Sequence, residues 1–219
     1  MPGVKSEKCL KRDTFGEIWA VDSPAGCYIE RRVSKARPWA RWLAHWLARR
    51  EATALAQADG IPGVPELLSS SSMRIRREWI RGSPMQEARP VDSGYFREAL
   101  TLLRRLHRSG VAHNDLAKEP NWLVTDDGHV AVIDFQLATV SRNRGFIFRI
   151  LAREDLRHLL KHKRTYCPES LTARQRSILD NPAMVSRVWM ASGKKIYLFV
   201  TRRLLGWADR EGAGDRQGL

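Results

Sequence analysis

Residues 106–138, LHRSGVAHNDLAKEPNWLVTDDGHVAVIDFQLA, decide how the rest of the chain is read, because two short polar clusters sit there on apolar, strand-like segments. His113-Asn114-Asp115 comes first, led in by Val111 and Ala112, and Asp134-Phe135-Gln136 closes the stretch. Between them Trp122 to Val124 reads as a short strand, Asp126-Asp127-Gly128 as a hairpin turn, and Val130 to Ile133 as the return strand. A loop from Asp115 to Asn121, followed by a hairpin that returns Asp134 beside it, gathers three oxygen-bearing side chains around one point. Such hard oxygen ligands suit a magnesium ion that also holds nucleotide phosphates. The plainer alternative is an ordinary hairpin with an interior histidine and a capping aspartate; the ordered occurrence of these residues between apolar strands argues against it.

These residues resemble the catalytic and metal loops of the protein-kinase-like superfamily, whose patterns are H-x-D-x-x-x-x-N and D-F-G. Asn121 stands one residue later than in that pattern, and Gln136 takes the place of the glycine. The resemblance implies an α+β, bilobal fold with a small antiparallel-sheet N-lobe and an abbreviated, mainly helical C-lobe. It also implies ATP and Mg2+ as cofactors and phosphoryl transfer to a hydroxyl. By the same resemblance Asp115 would orient and deprotonate the acceptor hydroxyl, Lys118 would neutralise charge on the transferred group, and Asn121 and Asp134 would hold the magnesium. The short chain, the lack of a long activation segment and the H-N-D form look most like the atypical branch. That branch comprises RIO-type kinases, aminoglycoside- and choline-type phosphotransferases and the lipopolysaccharide core sugar kinases of Gram-negative bacteria.

Upstream, Lys8 to Asp13, Gly16 to Val21 and Gly26 to Val33 read as three strands. Phe15-Gly16-Glu17-Ile18-Trp19 resembles the end of a kinase glycine-rich loop, with Gly16 close to the phosphates; a simple strand turn is the alternative. On the third strand the superfamily places a phosphate-gripping lysine. Here alternation puts Ile29, Arg31 and Val33 on one face, so Arg31 is the candidate and Arg32 the alternative. Pro38 opens a helical pattern that closes at Gly60, with Glu51 in its second half as the expected partner of Arg31. Trp39, Trp42, Leu43, Trp46 and Leu47 recur on that helix at helical spacing, flanked by arginines. Burial against the strands is one explanation of this face, and contact with an anionic membrane is the other.

Ile61 to Leu68 reads as the connection to a fourth strand, Ser69 to Ser72 as a turn, and Met73 to Ile80 as the fifth strand. Glu78-Trp79-Ile80-Arg81-Gly82 resembles the hinge that receives adenine, which makes Glu78 and Ile80 cofactor-binding candidates. Tyr95 to Ser109 is expected to be helical, ending at Gly110. Phe146 begins another helix that carries Asp155, placed to orient the catalytic loop from beneath. Further helices are expected after Thr172 and over Ile196 to Trp207, with a break at Pro182. The expected division is an N-lobe over 1–82, a C-lobe over 83–210 and a frayed tail over 211–219.

The chain has 219 residues, 43% hydrophobic and 28% charged, which allows a sizeable core and excludes a disordered composition. Its 38 Lys+Arg against 24 Asp+Glu, a formal +14, favours anionic partners. No recognisable nucleic-acid motif or zinc spacing accompanies that charge, and the kinase resemblance implies an anionic hydroxyl-bearing substrate, a protein or a lipopolysaccharide sugar, as the partner. Cys9, Cys27 and Cys167 are widely spaced and read as reduced thiols. With no signal-peptide run at Met1 to Asp13 and no membrane-spanning segment, a cytoplasmic protein is expected, with peripheral attachment to the inner face of an anionic membrane open. A nucleotide-binding pseudokinase or scaffold is the alternative to an active kinase.

Overall fold

A computed structural model describes residues 6–24 and 26–180, so the Pro182 break, the Ile196 to Trp207 helix and the 211–219 tail lie outside the described residues. The described part divides into two units after Leu171. The first begins with β1 (Ser6–Asp13), β2 (Gly16–Ser23) and β3 (Gly26–Arg32), paired antiparallel in sequence order. The β1–β2 turn is local chemistry: Asp13 Oδ1 accepts the Phe15 amide at 2.8 Å, the self-bonding turn that aspartate favours. Gly16 follows at φ +130°, where a Cβ would stand 2.5 Å from the Arg32 carbonyl oxygen, so only glycine lets β2 approach β3 there.

After a 3-10 turn at Pro38–Ala40 the chain enters α1 (Arg41–Gln57). Ala44, Leu47, Ala48, Ala52 and Leu55 are buried, and the small alanines let the helix lie close to the sheet. The tryptophans do not join them. Trp39, Trp42 and Trp46 are 51%, 71% and 47% exposed, whereas Leu47 is buried and Leu43 half-buried, so burial accounts for the leucines of that face and not for its tryptophans. β4 (Leu67–Ser70) and β5 (Arg74–Glu78) complete a five-stranded sheet ordered β1-β2-β3-β5-β4. The serines at 69 and 70 are therefore strand rather than turn, and the turn is made by Ser71, whose Oγ accepts the Arg74 amide at 3.1 Å.

β6 (Gly82–Pro84) and the single-turn α2 (Met85–Ala88) lead to α3 (Ser93–Ser109). Both ends of α3 are capped: Asp92 accepts the Gly94 amide at 2.9 Å, and Gly110 ends the helix at φ +87° behind His107 and Arg108. Its buried face, Tyr95, Phe96, Ala99, Leu102, Leu103 and Leu106, forms the centre of the larger core with Trp122 and Phe135. β7 (Val111–Ala112), β8 (Trp122–Thr125), β9 (Val130–Val132) and β10 (Thr139–Val140) follow. The hairpin is as expected, but β6 adds to β8 as a third strand, and β7 pairs with β10 instead of with the hairpin. α4 (Phe146–Tyr166) ends the first unit. The described residues of the second unit form one helix, α5 (Ala173–Asp180). The fold is α+β, with an antiparallel-sheet N-terminal region followed by helices, as the resemblance implied.

Candidate active site

The loop that begins at His113 is built on the short β7. Asp155, fully buried on α4, accepts the His113 amide on Oδ2 at 2.7 Å and the Asn114 amide on Oδ1 at 2.8 Å. One carboxylate thereby fixes two successive peptide groups, and Asn114 turns the chain through φ +66° just before Asp115. The loop is held from the far side as well. His113 Nε2 lies 3.0 Å from the Ile133 carbonyl, and its ring packs against Phe135 at 4.6 Å between centroids. His162 Nε2 lies 2.8 Å from the Leu116 carbonyl; burial, offset in part by that contact and Glu119, keeps this imidazole below its ordinary value.

Asp115, mostly buried, is held by two side chains from its own loop. Asn121 Nδ2 donates to its carbonyl at 2.9 Å and to Oδ2 at 3.1 Å, and Lys118 Nζ lies 3.0 Å from the same Oδ2. The residue by which Asn121 runs late is absorbed by a 3-10 turn, Glu119–Asn121, with Pro120 fixing its φ. The backbone then joins the two metal candidates: the Ile133 amide, next to Asp134, donates to the Asn121 carbonyl at 3.0 Å.

Asp134 sits at φ +68°, and its Oδ1 is buried without a hydrogen-bond partner. Its nearest cation is Arg31, whose Nη2 is 3.8 Å from that oxygen. Arg31 is thus the β3 arginine that faces Glu51 and Asp134. Arg32, the alternative candidate, points to the other face, to Glu30 at 2.6 Å and Glu7 at 2.7 Å. Arg31 Nε is 3.0 Å from Glu51 Oε2, and Arg77 Nε is 3.1 Å from Oε1, so the wholly buried Glu51 carboxylate lies between two guanidinium groups. Neither contact is aligned as a hydrogen bond, so these are ion pairs by distance alone. Burial works against the Arg31 charge, but Glu51, Asp134 and Asp13 outweigh it and raise its pKa.

Sequence reasoning missed three participants. Arg77 follows Ile75 at strand alternation, a usable signal, since both face α1. Gln136 bridges the site, accepting from Arg31 Nη1 at 3.2 Å and donating to Asp134 Oδ2 at 3.4 Å. Arg50 donates to the carbonyls of Leu137 at 3.0 Å and Ala138 at 2.7 Å and so clips the segment after Asp134 to α1; no local pattern announces that contact.

Three further candidates make their contacts elsewhere. Gly16 serves the close approach of β2 and β3. The Glu78 amide donates to the Glu66 carbonyl at 2.9 Å and its carboxylate accepts the Glu66 amide at 3.2 Å, while the half-buried Ile80 lies between β5 and β6. Among the described residues no hydrogen bond or ion pair joins Gly16, Glu78 or Ile80 to Asp115 or Asp134.

The donor set fits a hard divalent cation. Asn121 uses its nitrogen on Asp115, which leaves an amide oxygen, and Asp134 Oδ1 accepts no hydrogen bond, with only the Arg31 guanidinium 3.8 Å away. No group of three or more His, Cys, Asp or Glu side chains clusters as a metal site among the described residues, so this pair differs from a protein-only cage.

An Arg31–Glu51 ion pair between sheet and helix thus lies next to the Asp134 turn, which the Asn121–Ile133 backbone bond ties to the Asp115–Asn121 loop. No protein-family model matches the chain. Serine/threonine-protein kinase greatwall of Mus musculus and of Homo sapiens is 28% identical over 148 residues, 63% of this chain and 17% of the relative. The Xenopus tropicalis protein of the same name is 30% identical over 107 residues, 44% of this chain and 12% of that protein. The chain therefore spans about a sixth of the length of the curated relatives it matches, and the similarity supports a kinase-like protein.

Proposed function

We propose that this chain is an ATP-dependent phosphotransferase that moves the γ-phosphoryl group to a hydroxyl acceptor. The observation that carries the reading is the Asp115 loop: a carboxylate gripped on one oxygen by Asn121 and Lys118, on a backbone pinned by Asp155. The gripped Oδ2 leaves Oδ1 to meet an acceptor hydroxyl and take its proton as the hydroxyl oxygen bonds to the γ-phosphorus and the bond from that phosphorus to the β,γ-bridging oxygen breaks, with ADP leaving. Arg31, steered by Glu51, would face the nucleotide phosphates, and Asn121 and Asp134 would hold magnesium. Magnesium, when bound, supplies charge neutralisation on the phosphates; the chain supplies position and fixed charge. The proposed lobe division falls near Gly82, after the sheet. The atypical bacterial branch is the proposed home of the chain, with a protein or a lipopolysaccharide core sugar as acceptor, at the cytoplasmic side of the membrane.

A second reading, a nucleotide-binding pseudokinase or scaffold, is favoured by one contact: Arg31 and Gln136 already engage Asp134, a carboxylate that a working site gives to metal. Labelled ATP offered with a generic protein acceptor and with a lipopolysaccharide core acceptor separates the two. Magnesium-dependent transfer to either acceptor supports the first reading. A magnesium-dependent thermal shift with ATP but no transfer supports the second.

A further inference from the structure

We infer that the exposed face of α1 and the turn before it docks on an anionic phospholipid surface. Trp39, Trp42 and Trp46 are spaced at three and four residues, which aligns them along one side of the helical segment. The helix fills its contact with the sheet with Ala44, Leu47, Ala48 and Ala52, and the indoles are not part of that core. An indole offers large apolar area and one N–H donor, the amphipathic combination that sits at the boundary of headgroups and acyl chains.

The charge around them has one sign. Lys35, Arg37, Arg41 and Arg49 are exposed, and residues 35–50 contain no Asp or Glu. Arg50 lies under the Trp46 ring, 4.5 Å from its centroid, and reaches Leu137 and Ala138. The segment that leaves from there repeats the pattern. Phe146 and Ile147 are 71% and 73% exposed, Arg142, Arg144 and Arg149 are exposed, and residues 141–152 again lack any acid. Apolar side chains interleaved with arginines and free of carboxylates complement an apolar layer beneath anionic headgroups. Among the described residues no helix is long and apolar enough to cross a membrane, which is consistent with binding at its surface. The inference does not depend on the phosphotransferase reading.

The test is co-sedimentation at physiological ionic strength with vesicles of phosphatidylcholine alone and of equal parts phosphatidylcholine and phosphatidylglycerol. Binding to the mixed vesicles is expected to exceed binding to the neutral ones by about tenfold or more. Trp42→Ala with Trp46→Ala should weaken it about tenfold, and Arg41→Gln or Arg49→Gln about fivefold each, with unchanged melting temperatures. Brominated lipid should quench tryptophan emission of the unsubstituted protein, a readout that does not depend on any variant folding. Three results would overturn the inference: equal loss from Arg104→Gln with Arg105→Gln on α3, no loss from the tryptophan pair, or no quenching. The first two would mean general attraction to a basic protein. Self-association without lipid that the tryptophan pair abolishes would also overturn it, in favour of a second copy.

Discussion

The Nη2 atom of Arg31 lies 3.8 Å from Oδ1 of Asp134, and the same guanidinium reaches Glu51 through Nε at 3.0 Å. One arginine therefore spans from the α1 carboxylate to the carboxylate that would hold metal. Because Arg77 shares Glu51, the three charges respond unequally to truncation. Glu51→Ala leaves two buried guanidinium groups facing each other and should cost about 3–5 kcal/mol, whereas Arg31→Ala leaves Glu51 with Arg77 and should cost less than half of that. Denaturant unfolding of the two variants checks the order.

Asp155→Ala removes the only acceptor of the His113 and Asn114 amides in the described structure. Two buried N–H groups lose their partner, so a loss of about 2–4 kcal/mol is expected by thermal or chemical unfolding. Nucleotide-dependent turnover should fall further than stability alone accounts for, because Asp115 rides on that backbone.

Within the site the two carboxylates should separate by function. Asp134→Asn is expected to abolish the magnesium-dependent thermal shift with ATP. Asp115→Asn should stop transfer and leave nucleotide binding largely intact; loss of binding in that variant would contradict its role. Gln136→Gly removes the bridge between Arg31 and Asp134 and should enlarge the magnesium-dependent shift, measured by titrating the metal at fixed ATP.

Acid should loosen α4 before it protonates the carboxylates in bulk. Burial, aided by Lys161, pushes His158 down to about 4, and burial also lowers His162. Both groups bind a proton more readily unfolded than folded, so stability is full above the ordinary histidine value near pH 6.5 and declines as pH falls from there toward about 4. His158 accounts for roughly 2–3 kcal/mol of that decline, and His158→Gln should flatten the curve of melting temperature against pH in this window.

Phe135 is buried to 1% exposure against His113. Phe135→Ala opens a cavity behind the Asp134 turn and should cost about 3–5 kcal/mol in unfolding measurements. Metal-dependent binding should weaken along with it.

What the sequence determined by itself is local: the turn at Asp126-Asp127-Gly128, the strands either side of it, the capped helix ending at Gly110, Glu51 in the second half of α1, and Asp155 on α4. Each follows from periodicity, capping or turn chemistry acting over a few residues, so the residue pattern suffices. Tertiary structure decided the rest. Alternation favoured Arg31 and kept Arg32 as the alternative, and the packing of α1 on the face carrying Arg31 and Arg77 gave the two arginines different partners. The same packing chose Ala44, Leu47 and Ala48 for the core and left the tryptophans outside, because a helix that must lie close to a sheet buries small side chains at the contact. The β7–β10 pairing and the Arg31–Gln136 bond join residues far apart in sequence, where no local pattern reaches and only the summed burial of the whole chain fixes the partner.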